Sequence, residues 1–416
     1  MQFSIVIPTR NRAGKLRHAL RSALAQQYHD FEVVVSNNCS TDDTALVIAA
    51  ERSPHLRYVR APKSMSMPDH WQFALSQTQG EWVLFLCDDD ALMPGALASL
   101  AKIATAQPDT EIIQYGLINY FYDDGTVQRG NYVDVPCRLP VGQYWRQNSR
   151  RVLELNFRRL GGDMPKFLNC AVRRSLITRI HQQYGRMFWD WAPDYSSATL
   201  LLANTKRFVR TGPLMLWGEN VESYGAGSAR NPEQMLAFFN QFESFKGELP
   251  YSPYPQLLTV QNCVFDTFQR VRNQLGPKFN ELRTDPVRLT YELIKDCRKY
   301  AENGHGQYES TLVKLRTDLN KLRRQRLLDL LWAWQSLHGG LVDVLSRTGR
   351  SLHRRLTGQK RRERKYFDNI CDAAAAVGQQ VCPVDVSRTK VRPPHFSVSP
   401  APINPAIDPQ AIDRAA

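Results

Sequence analysis

The sequence predicts an α/β fold on a parallel sheet, and three observations carry that expectation. Over residues 3–87, short apolar runs alternate with segments of helical period, the pattern of βαβ units with helices on both faces of a sheet. Three of these runs end in polar clusters, and open α/β sheets hold their ligands beyond the carboxyl ends of the strands. At 416 residues, 43% hydrophobic and 23% charged, the chain has the composition of a soluble globular protein with room for two or three domains.

The first strand is FSIVIPT (3–9), closed by a Pro-Thr turn. AGKLRHALRSALAQQ (13–27) follows as a helix with Leu16, Ala19, Leu20, Ala23 and Leu24 on one face. FEVVVSNN (31–38) is a second strand, and STDDTALVIAAE (40–51) opens on a Ser/Thr/Asp cap and continues as a helix. LRYVRAP (56–62) is a third strand, DHWQFALSQTQ (69–79) a helix, and EWVLFLC (81–87) a fourth strand that runs into Asp88, Asp89 and Asp90.

The strand ends therefore bring Pro8-Thr9-Arg10-Asn11, Ser36 to Asp42 and the acidic triplet to one crevice. The first two clusters suit a base and ribose, and the third suits a cation on a diphosphate. Ser, Asn and Asp after strands also serve as turns and helix caps, as expected for Ser40 to Asp43. Adjacent carboxylates repel one another and resist desolvation, so the triplet needs positive charge, from a Lys or Arg or from a divalent cation. No G-x-G-x-x-G follows the first strand and no G-x-x-x-x-G-K-[ST] occurs, which argues against a dinucleotide oxidoreductase or a P-loop NTPase. The eight cysteines contain no C-x-x-C pair and read as reduced thiols.

Residues 3–100, from FSIVIPTRNR through VVVSNNCSTDDT to GEWVLFLCDDDALMPGAL, resemble the N-terminal half of the family 2 inverting glycosyltransferases. The resemblance implies a GT-A (Rossmann-like) nucleotide-diphospho-sugar transferase domain, with a nucleotide-sugar donor and Mn²⁺ or Mg²⁺ as cofactor. Pro8, Thr9 and Arg10 would line the nucleotide pocket and Asn37 would meet the base. Family members often have Asp-Asp-Gly-Ser, and this chain departs from that pattern with Asn-Asn-Cys-Ser; an amide oxygen still accepts from a pyrimidine N3–H, so pyrimidine binding survives the change, and a UDP-sugar is the donor the resemblance favours. Asp88 takes the ribose side and Asp89 the metal, with Asp90 a supporting ligand or a cap for the helix after Pro94. The general base implied by the resemblance is Asp194, at the start of a helix; Asp190, flanked by tryptophans, is the runner-up. The competing reading of Asp194 is an N-cap. Trp189, Trp191 and Tyr195 form an acceptor platform or belong to the core. The Gly-rich stretch after Leu216, with Gly225, Gly227 and Arg230, is a lid that brings Arg230 to the diphosphate, or an interdomain loop.

The expected organisation is a GT-A domain over 1–235, a helical extension over 236–312, a basic amphipathic helical segment over 313–366 and a largely disordered Pro-rich tail over 367–416. Of the net charge of +14, residues 314–365 hold +11. Such a helix suits an anionic membrane surface, or packs on the catalytic domain with its basic face outward; no nucleic-acid-binding motif accompanies the charge. The chain starts directly in a strand pattern, which predicts a cytoplasmic protein, peripheral on the inner membrane face. The expected activity is inverting, metal-dependent transfer of a hexosyl-type sugar to a hydroxyl of a glycan or lipid-linked acceptor. A nucleotidyltransferase acting on sugar phosphates and a non-catalytic nucleotide-binding scaffold are the alternatives.

Overall fold

The computed structural model describes residues 1–123, 130–136, 143–189, 191–219, 229–242, 245–336 and 362–378. Strands β1 (Phe3–Thr9), β2 (Phe31–Asn37), β3 (Leu56–Arg60) and β4 (Trp82–Phe85) form the parallel half of the sheet in the order β4-β1-β2-β3. They are connected by helices α1 (Ala13–Leu24), α2 (Thr44–Ala50) and α3 (Met67–Ser76). Every residue of β1, β2 and β4 is buried, as their near-continuous apolar sequence requires of strands covered on both faces.

Alternation along these strands sorts side chains into two layers. Val6, Val83 and Phe85 enter one core, whereas Ile5, Ile7, Leu84 and Leu86 enter the other with Leu16, Ala19, Leu20 and Ala23 of α1.

The rest of the sheet is mixed rather than parallel. β5 (Ala91–Leu92), α4 (Ala96–Ala106) and β6 (Ile112–Phe121) lead to β7 (Tyr132–Pro136), β8 (Tyr144–Asn148) and α5 (Ser149–Arg159). β9 (Cys170–Arg173) then inserts antiparallel between β4 and β6. After α6 (Arg174–Tyr184) and α7 (Pro193–Ala203), the long β10 (Arg207–Glu219) runs parallel to β6 and antiparallel to β5 and β8.

Helices α8 (Pro232–Phe239), α9 (Val260–Leu275), α10 (Pro286–Glu302) and α11 (Tyr308–Ser336) form the expected helical extension. It shares its core with the sheet: Val264, Phe268, Leu293 and Leu315 belong to the same buried cluster as Val6 and Phe85. α11 buries Leu312, Leu315 and Leu319, while Lys314, Arg316, Lys321, Arg323, Arg324 and Arg326 are exposed. Over this stretch the packed arrangement with a basic outer face is the one observed; residues 337–361 lie outside the described residues.

Two short elements depart from the expectations for 313–366 and 367–416. Arg362–Tyr366, read as part of a basic helix, is a strand, β11, paired antiparallel with β7. Residues 370–378, assigned to the disordered tail, form α12 (Ile370–Gly378), which buries Ile370, Ala373, Ala374 and Val377 against Met93, Tyr120 and Leu216. An alternating charged strand finds a backbone partner at a sheet edge, and an Ala-rich helix finds an apolar surface; neither partner is local in sequence. Residues 379–416 lie outside the described residues.

Candidate active site

At the carboxyl ends of β1 and β4 the loops are stitched together by side chains. Asn11, at φ 54°, accepts from Thr41 N–H through its Oδ1 (2.8 Å), while Asn11 N–H donates to Ser40 Oγ (2.9 Å) and Ala13 N–H to Asp42 Oδ2 (2.9 Å). The β1–α1 loop is thereby fixed against the β2–α2 loop, and Arg12 is held over the acidic triplet.

Asp88 and Asp89 share Arg12, whereas Asp90 turns to other partners. Asp88 accepts from Thr9 Oγ1 (2.8 Å) and Arg12 Nη1 (3.1 Å), and Asp89 from the same Arg12 nitrogen (2.9 Å). Asp90 N–H donates to Cys87 O (3.1 Å), closing a turn that folds Asp90 back toward the strand end. There its Oδ1 accepts from Gly218 N–H of β10 (2.8 Å), and its Oδ2, fully buried, has only the Cys87 thiol beside it as a donor. Asp90 is therefore not a helix cap: the residue before α4 is Gly95, at φ 78°, and the helix has no side-chain cap.

Burial pushes the Asp88 carboxyl above the ordinary carboxylate range; Arg12 opposes the shift and Asp89 adds to it. Asp90 is raised further by burial and by Asp89, offset only in part by Gly218 N–H and the Cys87 thiol. For Arg12, burial acts against the charge, but the two carboxylates outweigh it and raise its pKa. Arginine thus supplies part of the positive charge that the triplet needs.

The donor set also fits a divalent cation. Cys87 Sγ and carboxylate oxygens of Asp89 and Asp90 lie within 4.8 Å of one another, and the buried Asp90 Oδ2 has no donor beyond the neighbouring Cys87 thiol. Asp89 and Asp90 could hold the cation with Cys87; Asp88, turned to Thr9 and Arg12, is outside this group.

Of the residues expected from sequence, Pro8, Thr9, Arg10, Asp88, Asp89, Trp191, Asp194 and Tyr195 line one cavity of about 480 Å³. Asn37 does not. It is fully buried, with Nδ2 donating to Tyr58 OH (3.1 Å) and Oδ1 accepting from Ser40 N–H (2.8 Å). Its neighbour Asn38 lines the cavity and anchors Met65 through both its amide atoms (2.8 and 2.9 Å).

Asp194 sits in the first turn of α7 without capping it. Its Oδ2 instead accepts from Lys166 Nζ at 2.6 Å, and that ammonium lies 3.5 Å from the centre of the Tyr195 ring. Burial opposes the charge of Lys166, but Asp194 and Tyr195 outweigh it and raise its pKa. Asp190 lies outside the described residues. Trp191 donates to Asp266 Oδ2 (2.9 Å) and packs on Phe239 and Phe242, so it is at once core and cavity wall. Trp189 donates to Arg186 O (3.1 Å) and is not on the wall. Arg230 is exposed at the end of a stretch, 220–228, outside the described residues.

Sequence reading missed Arg12, Lys166 and Cys87, as well as Trp217, Gly218 and Glu219 at the end of β10, all on the cavity wall. A Cβ on Gly218 would fall on the carbonyl oxygen of Asp89, so only glycine permits this approach of β10 to the triplet. Tyr122 OH donates to that same carbonyl (2.9 Å). The available signal was charge beside a strand end, in TRNRAGK; the contribution of β10 depends on distant pairing.

The sequence profile described as "Glycosyl transferase family 2" matches residues 4–179. A Campylobacter jejuni GalNAc(5)-diNAcBac-PP-undecaprenol beta-1,3-glucosyltransferase is 34% identical over 106 residues, 25% of this chain and 34% of that protein. The succinoglycan biosynthesis protein ExoO of Rhizobium meliloti is 29% identical over 103 residues, 25% and 30% of the two chains. The chain thus matches about a third of the length of these relatives. Among solved structures, Staphylococcus aureus TarS 1-349 in complex with UDP-GlcNAc aligns over 75% of this chain and 92% of that one, at 18% identity and a TM-score of 0.45.

Proposed function

We propose, on the premise that residues 4–179 belong to glycosyl transferase family 2, that this protein transfers a sugar from a nucleoside-diphosphate donor, a UDP-sugar by preference, to a hydroxyl of a glycan or lipid-linked acceptor, with inversion. The observation that carries the reading is one cavity lined together by Asp88, Asp89, Arg12 and Asp194. A base and a charge-stabilising group must flank the reacting carbon, and this arrangement supplies both.

Thr9 and Arg12 hold Asp88 in place, and Arg10 and Arg12 offer positive charge toward a diphosphate. Asp194 takes the proton of the acceptor hydroxyl, oriented by Lys166. A cation held by Asp89 and Asp90 would neutralise charge on the leaving diphosphate. Met235, Phe238 and Val260 of the helical extension give the cavity an apolar side, which suits the apolar face of a sugar or a lipid-borne acceptor. The named relatives are a glucosyltransferase named for a GalNAc(5)-diNAcBac-PP-undecaprenol substrate and a succinoglycan biosynthesis protein, in keeping with that acceptor class. The exposed basic face of α11 suits docking at an anionic membrane surface, and no helix among the described residues is long and apolar enough to cross a membrane.

The test is release of nucleoside diphosphate from a panel of nucleotide sugars, with Mn²⁺, Mg²⁺ or EDTA. Metal-dependent turnover of one donor is expected, falling at least about a hundredfold in Asp89→Asn and in Asp194→Asn. Folded protein that turns over none of the donors with any acceptor preparation overturns the reading. The anomeric configuration of the product, read by NMR, tests inversion.

A further inference from the structure

In the proposed transfer the cation is assigned to Asp89 and Asp90, and the residue before the triplet is given no role of its own. Cys87 continues the direction of β4 past Phe85, and its side chain is half-buried on the cavity wall. The turn closed by Asp90 N–H on Cys87 O brings the third carboxylate back beside this thiol. Asp88 meanwhile turns away to Thr9 and Arg12. The group that converges is therefore one sulfur with two carboxylates, Cys87, Asp89 and Asp90, all within 4.8 Å. No other such convergence of three His, Cys, Asp or Glu side chains occurs among the described residues. A second observation points to a ligand: Asp90 Oδ2, on a residue 1% exposed, has no donor from the backbone or from any side chain other than the adjacent Cys87 thiol. A cation between these three groups would satisfy it.

We propose that Cys87 is itself a metal ligand, and that the cation site is a mixed thiolate–carboxylate site selecting thiophilic divalent ions over Mg²⁺. The proposal rests on the reading of the triplet as a cation site and deepens it. Mg²⁺ prefers octahedral oxygen ligands and keeps its waters, whereas Mn²⁺, Co²⁺, Zn²⁺ and Cd²⁺ accept sulfur with increasing readiness. On coordination the Cys87 sulfur gives its proton to solvent and forms the metal–sulfur bond, so metal uptake releases a proton. Nothing is oxidised or reduced.

The experiment is a Co²⁺ titration of the full chain, read by the near-ultraviolet sulfur-to-cobalt charge-transfer band and by calorimetry, with Cys87→Ser and Asp89→Asn in parallel. Expected is a charge-transfer band in the wild type that is absent from Cys87→Ser. The preference for Cd²⁺ over Mg²⁺ should also fall by about tenfold or more in that variant. Co²⁺ binding lost in Asp89→Asn, but with no sulfur band in the wild type or with the band retained in Cys87→Ser, overturns the role of Cys87 and leaves the cation site standing. Absence of Co²⁺ and Mn²⁺ binding to the wild type overturns both. Should Cys87→Ser fail to fold, alkylation of the wild type mapped by mass spectrometry decides. Cd²⁺ but not Mg²⁺ should protect Cys87, and equal labelling with and without saturating Cd²⁺ refutes the proposal.

Discussion

At the residue scale the site is a set of ionisable groups held in strained company. His70, 4% exposed on the cavity wall, has its Nε2 2.9 Å from Ser36 Oγ and faces the positive charge of Arg10. Burial first, and Arg10 second, lower its pKa from 6.5 to about 4. Between those values the unfolded chain binds a proton that the folded protein does not, so acid favours unfolding. This contribution to stability is complete above about pH 6.5 and lost progressively toward pH 4, at most about 3 kcal/mol. We expect denaturant midpoints to fall over that window, and His70→Gln, which keeps a polar partner for Ser36, to flatten the fall. An identical pH dependence in both proteins sinks the assignment.

At the scale of elements, the cavity depends on β10 reaching the acidic turn. Gly218 N–H donates to Asp90, and a methyl group at Gly218 meets the Asp89 carbonyl, which Tyr122 also holds. Gly218→Ala should therefore push the strand and the turn apart, costing about 1–3 kcal/mol in thermal or denaturant unfolding. Affinity for a divalent cation should weaken with it; unchanged stability and cation affinity would falsify the close approach. Much of this scaffold was legible beforehand: the four strands β1 to β4, the α1 face and the convergence of Thr9, Asp88 and Asp89 follow from local periodicity and the strand-end rule. Asn37 was misplaced because its environment includes Tyr58 on the neighbouring strand, a pairing that no local pattern encodes. β9 and β10 were missed for the same reason. Their partners lie far along the chain, with Val172 beside both Val83 and Ile112. Cys87 escaped notice because ligand-spacing rules look for Cys and His, whereas its companions are carboxylates two and three residues on.

At the scale of the whole molecule, the helical extension and the sheet share one core, although composition separates them at about residue 235. Phe268 of α9 stacks on Phe157 of α5 (ring centres 4.6 Å apart) and meets Tyr195 of α7 edge-on (5.6 Å). Two residues before it, Asp266 receives the Trp191 indole and the Tyr251 N–H (2.9 and 2.7 Å). The helix that seals the core thus also fixes a cavity wall. Phe268→Ala should leave a void at this junction and cost about 3–5 kcal/mol. Because the buried cluster runs from Val6 and Phe85 through Phe268 to Leu315, calorimetry should show one transition moved to lower temperature. If the extension folded by itself, two transitions would appear and only one would move. The same substitution should lower the proposed sugar transfer at temperatures where the protein remains folded, since slack at Phe268 reaches Tyr195 and the Lys166–Asp194 pair beside it. A variant with lowered stability but full transfer would show that the extension supports the fold without shaping the cavity around Asp194.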